Sequence, residues 1–273
     1  MIASIKKVAL VGGTHGGELT GVFLVKKFQQ SPHLLQRHGF ETITFISNKK
    51  AVEVGTRYID TDLNRAFNSQ DLKNPQLINH EQSLAKKISQ RIQQEKIDLI
   101  FDLHSTTSNM GLTLIVHGDN PDLLKMAGYL TQTNSKVKIL QHKLNKQASY
   151  LISSAKLGIT IEVGAIANGL LDAKLFQETE NSVYAILDYL EADKKGQPLS
   201  VPPSFTYYSA IGTVDYPRND KGEIQAMIHP KLQFQDYQPL NPGNPIFITF
   251  DGEEIFYQGD KTVYPVFINE AAY

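Results

Sequence analysis

Short apolar runs alternating with amphipathic segments fix the architecture of most of this chain. VALV (8–11), TITFIS (42–47), IDLIFDLH (97–104), LTLIVH (112–117) and ITIEVG (159–164) are too short for core helices and run into glycine or histidine in most cases. They read as buried strands. Among them lie ELTGVFLVKKFQQ (18–30), INHEQSLAKKISQRIQQEK (78–96) and PDLLKMAGYLTQT (121–133), and DAKLFQETENSVYAILDYLEA (172–192) follows the last. In the second segment Leu77, Leu84, Ile88 and Ile92 gather on one side, with Lys, Gln and Arg on the other, as an amphipathic helix requires. In 18–30, Leu19, Val22, Phe23 and Val25 have helical spacing. Strand–helix alternation of this kind predicts an α/β layered domain with a largely parallel or mixed central sheet.

The pattern stops near residue 194. KKGQPLSVPP (194–203) reads as a linker or domain edge, and beyond it the helical period is lost. AIGTVDYP, EIQAMIH, NPIFITF, EEIFYQ and TVYPVFIN are short β-type runs broken by Pro, Gly, Asn and Asp. The expectation is one domain over residues 1–195 and a small β-rich domain over 196–273.

Composition narrows the chemistry. The 273 residues include no cysteine, so disulfides and thiolate ligands are excluded and any metal must be held by His, Asp or Glu. Basic and acidic residues number 27 and 28, a net charge of −1, which is no footprint for nucleic acid or an anionic membrane surface. No apolar stretch is long enough to span a bilayer. MIASIKKVALVGG has neither a long apolar core nor a small-residue cleavage site, so no signal peptide is read and a cytoplasmic location is expected.

The loop after the first strand, GGTHGGELTG, admits two readings. A phosphate cradle would need G-x-G-x-x-G or G-x-x-x-x-G-K-[ST]. No two of glycines 12, 13, 16, 17 and 21 are two apart, and Gly12 and Gly17 are followed by Glu18 and Leu19 instead of Lys and Ser or Thr. The alternative is a metal: His15 and Glu18, three apart, can reach one point, and imidazole plus carboxylate suits zinc. H-x-x-E alone is a weak signal. His104 supplies a third ligand at the end of another strand, and Glu162 lies near the end of a third. In open α/β sheets such ends converge on the site, and a glutamate among Ile, Thr and Val is costly without a task. Two His and one Glu leave a coordination position for water, with Glu162 placed to take its proton. Asp102 reads equally as a carboxylate orienting His104 or as an ordinary strand-end residue. His33, His38, His80, His117, His142 and His229 are assigned no functional role. His80-Glu81 is not H-E-x-x-H, because residue 84 is leucine. TRYIDTDLNR (56–65) packs Arg57, Asp60, Asp62, Asn64 and Arg65 into nine residues, either a solvated loop or an anion site.

Taken together, GGTHGGELTG, TRYIDTDLNR, FDLHSTTSNMG, IEVG, VDYPRNDKGEIQAMIHP and VYPVFINEAAY resemble the aspartoacylase/succinylglutamate desuccinylase family of zinc-dependent deacylases. These motifs extend from residue 12 to residue 273. The resemblance implies a zinc-carboxypeptidase-like catalytic domain, a β-rich C-terminal domain and a homodimer. It implies one zinc ion on His15, Glu18 and His104, catalysis by Glu162, and Arg57 on the acyl carbonyl. It further implies Asn64 and Arg65 on a substrate carboxylate, and Tyr273 reaching the substrate from the C-terminal domain. N-acetyl-L-aspartate is the expected substrate, hydrolysed to acetate and aspartate. One departure stands out: where the aspartate-specific members place an arginine ten residues before the catalytic glutamate, this chain has Ile152, and no arginine occurs from 92 to 217. Lys143, Lys146 and Lys156 are the nearby cations. A deacylase for neutral or aromatic N-acyl amino acids is the rival enzyme; a zinc- or small-molecule-binding module without turnover is the rival outside catalysis.

Overall fold

The computed structural model describes residues 2–143 and 149–270. In chain order it contains β1 (Lys7–Gly12), α1 (Leu19–Gln30), β2 (Glu41–Ile46), a short α2 (Lys49–Val54), α3 (His80–Gln94), β3 (Leu99–Ser105), β4 (Gly111–His117), α4 (Pro121–Thr133), β5 (Val137–His142), β6 (Leu157–Gly164) and α5 (Ala173–Lys194). β7 (Tyr208–Ser209) then closes one edge of a seven-stranded sheet of order β2-β1-β3-β6-β4-β5-β7. β8 (Ala226–Ile228), β9 (Pro245–Thr249) and β10 (Glu254–Phe256) form a separate antiparallel sheet of order β10-β9-β8. The fold is therefore mixed α/β. Every pairing in the large sheet is parallel except β4 with β6.

Helix ends follow their local chemistry. Asn79 caps α3 in a reciprocal pair with Gln82, Asn120 caps α4 ahead of Pro121, and Asp172 accepts from the Leu175 amide at the start of α5. These side chains satisfy amides that have no partner within the helix.

The two faces of the sheet are covered differently. On one, Leu10, Phe101, Leu114 and Ile161 pack in a continuous core with Leu24 and Phe28 of α1, Met126 of α4 and Ile186 of α5. On the other, coverage is split. Ala9, Val11 and Ile100 pack beneath Leu63, Ile88 and Ile92, while Ile115 and Leu140 pack with Tyr237 from the C-terminal region. Between these clusters β3 and β6 present Asp102, His104, Thr160 and Glu162, whose registers pair Asp102 with Thr160 and His104 with Glu162. The polar groups thus lie in a seam between two apolar patches.

Several expectations are corrected. VKILQH, which the sequence reading leaves unassigned, forms β5. The C-terminal region holds fewer strands than its β-type runs suggest. TVYPVFIN contributes one bridge, Leu240 with Val263, because Pro265 has no amide to donate and Phe267 and Asn269 take positive φ. AIGTVDYP forms no named strand and leaves Ile211 and Val214 largely exposed. In α1, Leu24 and Phe28 join Val22 and Val25 inside, while Phe23 is exposed.

Helix α1 approaches the sheet backbone to backbone. A Cβ on Gly21 would sit 2.5 Å from the Leu103 carbonyl oxygen. Gly21→Ala is expected to push α1 from β3 and to destabilise the protein by about 1–3 kcal/mol. Urea unfolding measures this, and an unchanged midpoint would show that the contact is not tight.

Candidate metal centre and its surroundings

The loop from β1 to α1 has to turn within six residues and remain against residues 51–57, the end of α2 and the chain after it. Gly16 makes this possible: its amide donates to the Arg57 carbonyl at 3.2 Å, and a Cβ there would fall 2.2 Å from the Ala51 carbonyl carbon. His15 and Glu18 are thereby directed inward, both 4% exposed or less.

Glu18 joins the two histidines. Its Oε1 lies 2.5 Å from His15 Nδ1 and its Oε2 lies 2.8 Å from His104 Nδ1. One ligand atom from each of the three residues falls within 4.8 Å of the others. Both imidazoles are backed by a carboxylate on the far nitrogen: Asp62 Oδ1 is 3.0 Å from His15 Nε2, and Asp102 Oδ2 is 2.8 Å from His104 Nε2. Asp102 is fixed in turn by the Thr14 hydroxyl, which donates to its Oδ1 at 2.8 Å. Carboxylates in these positions set ring orientation and tautomer, as in histidines that ligate metals. The open question about Asp102 is settled in favour of orienting His104, and Asp62 is the corresponding group that the sequence reading leaves among the loop charges.

Electrostatics follow from the packing. Burial alone would raise the Glu18 carboxyl, yet His15 and His104 hold it well below the usual carboxylate range. Burial would likewise depress His104, but Asp102 and Glu18 carry it well above its ordinary value; His15 is raised in the same way by Glu18 and Asp62. Glu162 differs. Burial pushes its carboxyl well up, and Glu18 and Glu270 add to that against His104 and Arg57. Among the described residues none donates a hydrogen bond to it.

The 56–65 loop lies over this seam. Arg57 reaches Asp62 Oδ2 at 3.2 Å and Glu18 Oε1 at 3.6 Å, so its guanidinium borders the carboxylates. Asn64 accepts the Leu151 amide on Oδ1 at 2.8 Å, leaving its NH₂ to donate. Arg65 is exposed, with its guanidinium 5.2 Å from the Tyr150 ring. The loop is clamped from below by the fully buried Glu81, which accepts the amides of Ile59, Asp60 and Thr61 and the Asn48 side chain. Asp60 instead receives the His80 amide.

Glu270 was also missed. Its Oε2 accepts from the hydroxyls of Thr106, Thr107 and Ser108 and from the Thr107 amide, fastening the C-terminal segment to the turn after β3. The motif STTSN (105–109), with four consecutive hydroxyls, is the available signal. Tyr273 and Lys146 lie outside the described residues. Lys143 and Lys156 are exposed, and Lys156 precedes β6 at the end opposite Glu162. Ile152 is buried in the core under the loop, together with Leu151.

Comparison with known proteins identifies the chain's relatives. A family model described as the succinylglutamate desuccinylase/aspartoacylase catalytic domain matches residues 4–190, and the AstE/AspA barrel-sandwich hybrid domain matches residues 203–273. A probable aspartoacylase of Nostoc sp. is 52% identical, covering 98% of this chain and 92% of that protein. The aspartoacylase of Mus musculus is 41% identical, covering 98% and 89%. Among solved structures, murine aminoacylase 3 superposes with a TM-score of 0.92 at 35% identity, covering 98% of this chain and 91% of that one. A succinylglutamate desuccinylase from Vibrio cholerae shares the fold with a TM-score of 0.64 at 15% identity, covering 96% and 85%. On this evidence the chain belongs to the succinylglutamate desuccinylase/aspartoacylase family.

Proposed function

We propose that this protein is a zinc-dependent amidohydrolase that deacylates N-acyl amino acids, with N-acetyl-L-aspartate as the favoured substrate and acetate and aspartate as products. Family membership carries hydrolysis of N-acyl amino acids. The observation that supports the metal is the pair of Nδ1 atoms facing the two oxygens of Glu18, each imidazole braced behind by a carboxylate. Three protein ligands of this type, His15, Glu18 and His104, fit a catalytic zinc site with a position left for water. Bound there, zinc would lower the pKa of a water to about 7 and polarise an amide carbonyl.

The chain's own groups supply the remainder. Glu162 takes the proton of the attacking water and returns it to the leaving amine. Burial raises its proton affinity, and a divalent cation held by His15, Glu18 and His104 would lower it again. Arg57 stabilises the oxyanion that develops on the acyl carbonyl. The Asn64 amide and Arg65 hold the amino acid's α-carboxylate, and Tyr273 closes the pocket from the C-terminal segment. In this reading residues 1–195 carry the chemistry and 196–273 complete the substrate pocket. A preference for neutral or aromatic side chains is the second reading, favoured by Ile152 standing where the aspartate-specific members carry an arginine.

Amino-acid release from N-acetylaspartate, N-acetylglutamate, N-acetylalanine and N-acetylphenylalanine by zinc-loaded protein decides between them; no release from any would leave a binding protein. Glu162→Gln is expected to retain zinc and lose about a hundredfold or more in kcat, whereas wild-type turnover would remove Glu162 from the mechanism. His104→Ala is expected to lose the metal, so elemental analysis at full occupancy would break the ligand assignment. Glu270→Ala is expected to raise KM by about tenfold through loss of the anchor for the Tyr273 segment. A steady-state KM equal to wild type would show that the anchor does not serve the substrate.

A further inference from the structure

One fully buried carboxylate belongs neither to the ligand set nor to the proposed chemistry. Glu81 stands in the first turn of α3 and has no exposed surface. Two donors meet each of its oxygens. Oε1 accepts the Ile59 amide at 2.8 Å and the Asn48 side-chain amide at 2.9 Å, and Oε2 accepts the Asp60 and Thr61 amides at 2.9 and 3.1 Å. Among the described residues it makes no ion pair, so these neutral donors and the helix N-terminus carry its charge. Burial would raise the carboxyl, yet the Ile59 amide, the Asn48 side chain and the other two amides hold it below its ordinary value.

A buried charge without a counter-charge is costly. The backbone it holds is a crest on which Asp60 and Thr61 are exposed, so core packing gains little from the arrangement. The crest leads directly into the site. Asp62 follows Thr61: its Oδ1 lies 3.0 Å from His15 Nε2 and accepts the Asn64 amide at 2.8 Å, while its Oδ2 accepts from Arg57 Nη2 at 3.2 Å. One side chain thus joins a prospective metal ligand, the guanidinium assigned to the oxyanion and the turn assigned to the α-carboxylate.

Glu81 also reaches His15 from the other direction. Asn48 takes the Ala51 amide on its Oδ1 at 3.2 Å, which turns its NH₂ toward Glu81. The Asn48 backbone amide donates to the Gly13 carbonyl at 3.0 Å, two residues before His15. A single carboxylate therefore fixes both the segment that carries His15 and the segment that braces it.

Resting on the deacylase reading above, we propose that Glu81 is a positioning residue for this site: touching neither metal nor substrate, it fixes Asp62 against His15 and Arg57 and so sets zinc affinity and kcat/KM together. Glutamine at this position has nearly the same shape. Whichever way its amide is flipped, it turns an NH₂ toward two donors, and the crest must move. A displacement there is passed to Asp62 through the next peptide, and misplacement of about 1 Å in positioning groups is enough to cost a hundredfold in rate.

The test uses the full-length protein and three readouts: zinc affinity by competition with a chromophoric chelator, kcat/KM at saturating zinc, and the melting temperature of the metal-free protein. Glu81→Gln is expected to weaken zinc binding about tenfold, the lower end of the effect of disturbing a ligand's hydrogen-bond partner, and to lower kcat/KM about tenfold to a hundredfold. Ile92→Val is the control. It removes one buried methyl group from the far end of the same helix and is expected to lower the melting temperature with zinc affinity and kcat/KM within twofold of wild type. Glu81→Asp keeps the charge and withdraws both oxygens by one methylene. Its zinc affinity is expected to fall between wild type and Glu81→Gln, and it decides the matter if the Gln variant does not fold. Zinc affinity or kcat/KM within twofold of wild type in the folded Glu81 variants overturns the proposal, as do losses in Ile92→Val that match theirs. A wild-type protein that binds zinc but releases no amino acid from any of the four N-acetyl substrates defeats the deacylase reading alone, and the zinc comparison still decides the role of Glu81. A wild-type protein that binds no zinc defeats both.

Discussion

One carboxylate shared by two imidazoles organises this molecule. Glu18 places its two oxygens against His15 and His104, and behind those rings stand Asp62 and Asp102. Burying so much charge is favourable only if every group has a partner. Much of the surrounding structure meets that demand. Thr14 holds Asp102, Arg57 bridges Asp62 and Glu18, and the Ser105 amide gives Glu18 a further bond at 3.1 Å. The tight glycine loop, the close approach of α1 and the clamp at Glu81 are the means by which the backbone brings these partners together.

The sheet supplies the location. β1 and β3 are neighbours whose following connections run in opposite directions across the sheet, to β2 and to β4, and the crevice outside their carboxyl ends is where α/β sheets collect ligands. The sheet face there is split between two apolar clusters, which leaves a strip of β3 and β6 for residues that would be intolerable in either core. Glu162 takes its elevated pKa from that position: it is walled in by protein, yet no described neighbour donates to it. Structure and chemistry meet in this strip, where proton affinity is set by packing.

Some of this was legible in the residues alone. His104 and Glu162 stand out because each interrupts a run of Ile, Leu and Val, and Asp102 had the same signal with a less certain meaning. His15 and Glu18 were legible from their spacing in a loop whose glycines fit no phosphate motif. Asp62 was not separable from Asp60, because the three amides held by Glu81 decide which of the two turns inward, and Glu81 lies some twenty residues away in sequence. β5 was not recognised, because VKILQH is short and partly charged, and its place in the sheet comes from its neighbours. The C-terminal runs had strand-like composition, but Pro265 and two positive φ values show how few residues suffice to break a ladder.

The insertion of β6 between β3 and β4 has a consequence for how the protein is made. β3 and β4 are joined by a turn of only five residues, yet they do not pair; the strand between them begins at Leu157, forty residues after β4 ends. During synthesis the ribosome delivers two strands with facing open edges well before the one that fills the gap. Long-range closure of this kind slows folding, and bare strand edges invite association with other chains. The same late strand brings Glu162 beside His104. The nascent protein therefore carries His15, Glu18 and His104 before Glu162 is synthesised, and commitment to the native sheet and completion of this cluster become one event.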